Sequence, residues 1–292
     1  MPLIKQIAVG RRKPNMTRKE YFDHRFRIHG RIADGTEVLA HKPQYVKNKY
    51  IQTQIFDSAF GSRPDGPLNA NHPWCGRDDT TELYFRDWDH VIACSTSDYV
   101  KEVVGPDGPF FADFEASIAL MAYEKLVPIR TAAALQTKKG EAVDANNPTV
   151  AMLFISTSDN TRDGSELEKS ITPLLTSTLE SHCQNDASAV ICNIGAVSDK
   201  FDLHAYFGGA DMPQYALVYK VYLSDPASVP AFRKAQKHFE EAIGKLGSVD
   251  LHKSFVVFSH EALIMDMGNG TRFSLDRQPF FKELPGPSHL EG

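Results

Sequence analysis

An apolar run from Leu3 to Val9 gives way at Pro14-Asn15 to a different rhythm, in which Phe22, Phe26, His29 and Ala33 recur at steps of four, three and four. The first pattern predicts a buried strand and the second a helix with one apolar face. Thr17 and Glu20 stand at the spacing of a capping box, which fixes where that helix starts. Carried along the chain, the periodicity predicts strands at roughly 3–11, 44–56, 80–94 and 116–127, with helices at 17–39 and 97–114. The order then repeats: strand 150–157, helix 165–182, strands 187–197 and 215–224, helix 228–246, strand 251–266. Ser165 and Glu168 predict a second capping box, and each half closes on a strand with Glu-x-Leu, at Glu124 to Leu126 and Glu261 to Leu263.

That order is the ferredoxin-like βαββαβ unit, whose two helices cover one sheet face and leave the other needing a partner. The expectation is an α+β fold: two tandem ferredoxin-like modules that pair their sheets into an α+β barrel. The first module spans 1–130 and holds the active site, 131–148 is a linker, and 149–267 is a second, mainly structural module. Residues 268–292 form a tail whose Phe273, Phe280 and Phe281 are too apolar to stay free. The stretch from Asp57 to Asp79 is rich in Gly, Pro and Asn and carries His72 and Trp74, which predicts a long loop acting as a lid over a pocket.

Composition narrows the class. A 42% apolar and 24% charged chain of 292 residues is ordinary for a globular protein. A net charge of -5 gives no electrostatic footprint for nucleic acid. No apolar run reaches the length of a membrane span, and the N-terminus lacks the apolar core of a signal peptide. Cys75, Cys94, Cys183 and Cys192 show no zinc or CxxC spacing, which predicts reduced thiols in a cytoplasmic protein.

His29 is the first candidate for chemistry, although a histidine on an apolar stripe can equally be a core residue. His24 lies five positions earlier, ~140° away on an α-helix, so the two are not expected on one face. His90 and Cys94 fall four apart on the predicted third strand, without further ligands for a metal. Arg11, Arg12 and Lys13 read either as an anion cradle or as a solvated strand end. No GxSxG, glycine-rich phosphate loop, or nicotinamide, flavin or haem motif is present, so the expectation is chemistry by side chains alone, with neither metal nor cofactor. Tyr84, Tyr45 and Tyr50, on predicted strands, are candidate donors to an oxyanion. Phe26, Phe110, Phe111, Trp74, Trp88 and His72 are candidate walls for a planar ligand.

The run Arg12-Lys13-Pro14-Asn15-Met16-Thr17, with Glu20, Phe22, His24 and His29 following, resembles the EthD family of dimeric α+β-barrel proteins. The likeness continues at Thr81-Glu82-Leu83-Tyr84-Phe85 and at Gly108 to Phe114. Asn15 stands where glycine is usual, and the second half lacks the paired histidines at Glu166 to Pro173. The resemblance implies the barrel topology and a pocket between sheet and helices lined by the second histidine, His29. It also implies kinship with cofactor-independent dehydratases, decarboxylases and cyclases of polyketide tailoring. The resulting expectation is a lyase acting by histidine acid/base catalysis on a polyketide-like or aromatic carbonyl compound. A cofactor-free oxygenase of a phenol and a non-catalytic ligand-binding barrel are the alternatives. A small-molecule substrate is the expected partner, with the chain either a monomeric pseudo-dimer or a homodimer.

Overall fold

The computed structural model describes residues 3–67, 70–137, 147–209 and 211–279. The described residues form eight strands, with helices between most of them: β1 (Ile4–Gly10), β2 (Lys49–Phe60), β3 (Asp79–Phe85), β4 (Ile118–Val127), β5 (Thr149–Thr157), β6 (Ala187–Gly195), β7 (Leu217–Leu223) and β8 (Val249–Asp266). All neighbours are antiparallel, and they close into a barrel in the order β1-β3-β2-β8-β5-β7-β6-β4. The fold is therefore an α+β closed barrel made by one chain, which leaves no open sheet edge. The first four strands run β4-β1-β3-β2 and the last four β8-β5-β7-β6, the same order in each half.

Period-two alternation sorts each strand's side chains between the barrel interior and the helix-covered outside. In the second half Ala151, Leu153 and Ile155 of β5 face outward with Tyr219 and Val221 of β7. They pack beneath the helices Ser165–His182 and Val229–Ile243 through Leu175, Leu179, Phe232 and Phe239. The interior is divided. One end is apolar, with Ile7, Val9, Leu120, Phe154 and Phe255 closed off by Trp74. The other end is ionic: Lys5 and Lys220, both fully buried, flank the fully buried Glu82 and reach Glu124 and Glu261 in turn. The Lys5–Glu124 separation is 3.0 Å. Glu82 and Lys220 occupy the fourth position of β3 and β7, and Tyr84 and Tyr222 the sixth. Each tyrosine hydroxyl donates to the glutamate of its own half, Tyr84 to Glu124 at 3.0 Å and Tyr222 to Glu261 at 3.4 Å. The two lysines hold Glu82 down to about 2, against the penalty of burial.

Several sequence expectations are corrected. The third strand ends at Phe85, where Asp87 caps a helix, Trp88–Ser95, so His90 and Cys94 lie on a helix rather than a strand. Tyr45 sits in a 3₁₀ turn, Pro43–Tyr45, before the second strand begins. The helix at Ser165 is capped by Gly164 with no side-chain bond, and Glu168 accepts instead from Lys125, so no second capping box forms. The loop from Gly61 packs over the barrel's apolar end, where Trp74 meets Phe60 and Phe255 and stacks on His72. None of its described residues lines the cleft beside His24. Of the tail, Phe273 packs beside Ala33, Val46 and Tyr50, while Phe280 and Phe281 lie outside the described residues. All four cysteines are free; burial pushes Cys94 up to about 11 and Cys183 and Cys192 up to about 12. Among the described residues no helix is long and apolar enough to cross a membrane.

The first-half helix is anchored as its sequence predicts: the Thr17 hydroxyl accepts from the Glu20 backbone N–H, and the Glu20 carboxylate accepts from that of Thr17 at 2.7 Å. Thr17→Ala is expected to cost about 0.5–2 kcal/mol in urea unfolding; no measurable change would show that the cap contributes nothing.

Candidate active site

The helix that begins at Arg18 is not uniform. It is α-helical over Arg18–Phe22, widens to π over Asp23–His29, and returns to α over Gly30–Asp34. Bonds from residue i to i+5 make a wider turn, so a five-residue step comes back to the same side. His24 and His29, expected on different faces, therefore stand together. Both bind one carboxylate: His24 Nε2 lies 2.8 Å from Asp107 Oδ1 and His29 Nδ1 2.8 Å from Asp107 Oδ2. Asp107 comes from a second widened helix, π over Val100–Val104 and α over Gly105–Asp107. The turn that follows, Gly108–Phe110, delivers Phe110 and Phe111 onto the imidazoles. His24 stacks on both rings at 6.2 and 5.3 Å, and His29 meets Phe111 at 4.8 Å.

The two histidine bonds hold the Asp107 carboxyl below its usual range against the opposing effect of burial. An ionised carboxylate only accepts, so each facing ring nitrogen carries a proton. Burial lowers His29 to about 4, with the nearby cations Arg25 and Lys47 adding to the effect and Asp107 opposing it. His29 is thus neutral at pH 7: its Nδ1–H points at Asp107, and Nε2 keeps a lone pair. Its side chain retains 14% of its surface, so it is neither solvated nor sealed.

Beneath the helix a buried polar network fixes its seat on the sheet. Arg25 donates to Asp79 at 2.8 Å, to the Tyr50 hydroxyl at 2.9 Å and to Thr81, and Tyr21 donates to Asp79 at 2.7 Å. Gln52 also donates to Tyr50, leaving its own carbonyl oxygen without a partner among the described residues. Lys47 is lowered to about 8 by burial. An open cleft of about 920 Å³ runs along the helix between Met16 and Arg31 and is bordered on its far side by Phe273 to Asp276. It is lined by His24 but not by His29.

Of the expected site residues, His24, His29, Phe26, Phe110 and Phe111 come together, and Tyr50 joins them through Arg25. Tyr84 does not: Thr81 faces the helix, so Tyr84, three places on, points into the barrel and bonds Glu124. Trp74 and His72 close the barrel end, and Trp88 packs with the cluster around Phe85 and Val91. Tyr45 lines neither this cleft nor the histidine pair. Arg11 and Arg12 are not a free cradle, being bound by Asp113 and Asp78. Sequence reasoning missed Asp107, Arg25 and Lys47. Asp107 had one signal, its place in Gly-Pro-Asp-Gly-Pro, where a helix must break beside the motif at Phe110 and Phe111.

Comparison with known proteins bears on this half of the chain. Residues 13–115, the stretch that supplies both histidines, Asp107 and the flanking aromatics, match the family model of the EthD domain. Over that stretch, about a third of its length, the chain is similar to the EthD domain. The match ends before β4, so the second half lies outside it. A solved structure of an anthrone oxidase-like protein superposes with a TM-score of 0.53 at 9% identity, covering 94% of this chain and 98% of that one. At that identity the likeness establishes the fold alone. A proposed monooxygenase from Lactobacillus acidophilus (12% identity, TM-score 0.42, 90% of this chain and 97% of that one) carries no argument. The same holds for a chlorite dismutase variant from Candidatus Nitrospira defluvii (8%, 0.41, 89% and 90%). No curated protein matches the sequence significantly.

The neutral state of His29 has a consequence for stability. Its folded pKa, about 4, lies below the ~6.5 of an unfolded histidine, so between those values the unfolded chain binds more protons. Stability is then expected to fall as pH drops from about 6.5 to 4, by on the order of 3 kcal/mol from this residue. Urea midpoints across that window test this; a His29→Gln variant should lose most of the slope.

Proposed function

We propose that the EthD-like part of this chain is a lyase that moves a proton on an aromatic or polyketide-like carbonyl compound without a cofactor. The observation that carries this reading is the single carboxylate shared by two histidines. Asp107 sets both tautomers, leaves the His29 lone pair at Nε2 free as a base, and stabilises the imidazolium formed when it takes a proton. Positioned proton transfer contributes roughly 10²–10⁴-fold. Arg25 and Lys47 make the surroundings of His29 electropositive, which favours the enolate that forms when a proton leaves the carbon beside a carbonyl. Loss of water or carbon dioxide from a β-hydroxy or β-keto compound proceeds through that enolate. Phe110 and Phe111 suit a planar substrate that reaches the pair from the side of His24. In this reading Tyr50, held by Arg25, replaces Tyr84 as the candidate tyrosine donor.

The same reading takes 1–130 and 149–267 as tandem ferredoxin-like modules joined by the linker 131–148, with one active site per chain. Equal strand order in the halves and the matched Tyr84–Glu124 and Tyr222–Glu261 pairs support it. Because one chain closes the barrel, a monomeric pseudo-dimer suffices.

Incubating the purified protein with aromatic β-hydroxy and β-keto carbonyl compounds, followed by mass spectrometry, tests the proposal. Loss of water or carbon dioxide that depends on His29 supports it. Gain of oxygen would identify an oxygenase instead, and binding without turnover a ligand-binding barrel.

A further inference from the structure

A second cleft, of about 790 Å³, lies at the start of the histidine helix and is lined by Arg11 to Thr17, Cys75, Gly76 and Asp113. The charges around it do not balance. Asp113 binds Arg11 at 2.7 Å, Asp78 takes both Arg12 and Arg18, and Asp79 takes Arg25. Lys13 and Arg77 form no ion pair with a carboxylate among the described residues. Arg77 is the more costly of the two. It is only 4% exposed, yet its guanidinium meets the carbonyls of Val9 and Ala116 and the Met212 sulfur, and its Nε has no partner. A buried cation that hydrogen-bonds only neutral groups, and whose nearby carboxylate Asp113 is already bound by Arg11, is unfavourable unless a further counter-charge is supplied. Burial accordingly lowers it to about 10. Space for a counter-ion lies next to it in the chain: Gly76 has φ 84°, and among the described residues other than its chain neighbours Cys75 and Arg77 no atom stands within 4 Å of where its Cβ would be.

We infer that the cleft bordered by Arg11, Lys13 and the Cys75–Gly76 turn is an oxyanion-binding site, for a phosphate or an organic carboxylate, with Arg77 as its buried counter-charge. Lys13 is the reachable donor at the rim, and Arg77 draws the anion toward Gly76 through the low-dielectric interior. Neither residue hydrogen-bonds the histidine pair, so the site stands independently of the proton-transfer proposal.

Thermal unfolding of the full chain, titrated with inorganic phosphate and separately with benzoate at ionic strength held constant with chloride, provides the test. The midpoint should rise saturably: a response to phosphate alone identifies a free-phosphate site, and one to benzoate alone a seat for an organic carboxylate. Lys13→Gln, at the rim, should weaken apparent affinity at least about tenfold, as for loss of one charge-assisted hydrogen bond. Arg77→Met should abolish the response while its ligand-free midpoint stays equal or rises, because the unpaired charge is gone. No response beyond chloride, or a response unchanged in Lys13→Gln, would overturn the assignment.

Discussion

Asp107→Asn is expected to lower turnover by about 10²–10⁴-fold while leaving the fold intact. The carboxylate accepts one N–H from each imidazole, His24 Nε2 and His29 Nδ1, at 2.8 Å. A carboxamide has one acceptor oxygen and one donor nitrogen. Of the two rings, one must therefore turn its lone pair toward the amide nitrogen and carry its proton on the opposite ring nitrogen. If that ring is His29, Nε2 becomes a donor and the base is lost; in either case the imidazolium loses its counter-ion. The side chain is nearly isosteric and the helix ends where it did, so circular dichroism and the unfolding midpoint should change little. Steady-state rates on the substrate found by mass spectrometry, with and without the substitution, give the answer. Activity within a factor of a few of the parent would mean that the shared carboxylate is structural.

The second large effect is on stability. Glu82→Gln is expected to destabilise the barrel by about 3 kcal/mol, at the low end for breaking a buried ion pair. Both lysines that bind Glu82 are fully buried and would lose their common partner. The loss stays at the low end because Lys5 keeps Glu124 and Lys220 keeps Glu261. The depressed Glu82 carboxyl, at about 2, contributes stability above its unfolded pKa of ~4.3 that is lost as pH falls toward 2, so the variant should be less acid-sensitive in that range. Urea unfolding at pH 7 measures the first effect and a pH series the second. The double variant Glu82→Gln, Lys220→Met should cost less than the sum of the two single losses, since both remove the same Glu82–Lys220 contact; strict additivity would show that the ion chain does not act as a unit.

The barrel was legible because period-two and 3.6-residue patterns are local. Strands 150–157 and 187–197 and helix 165–182 stand close to where alternation and apolar stripes put them. The third strand was overextended because Val91, Ile92 and Ala93 continue its apolar character across Arg86-Asp87, and only the Asp87 cap marks the change to helix. The site was half legible. His29 and the phenylalanines lie on stripes or in motifs that can be read directly. The partnership of His24 with His29 could not be read, because an i to i+5 widening leaves no composition signal and an α-helical step of five separates the rings. Asp107 was hidden for a different reason: it is 78 positions from His29 in sequence, and the helix that carries it reaches the histidines only through tertiary packing. Tyr84 failed as a site residue by parity, since a strand exposes alternate residues to opposite faces and sequence does not say which face holds the chemistry. The Glu-x-Leu repeat, in turn, proved to carry the glutamates of the interior ion chain rather than a site.

Nitrogen-15 NMR of the imidazole rings across a pH series addresses the paired histidines most directly. At pH 7 His29 should be neutral, protonated at Nδ1 and bare at Nε2, with His24 protonated at Nε2, and His29 should gain its second proton only near pH 4. A His29 that is charged at neutral pH, or that carries its proton on Nε2, would contradict the assignment of this residue as the base.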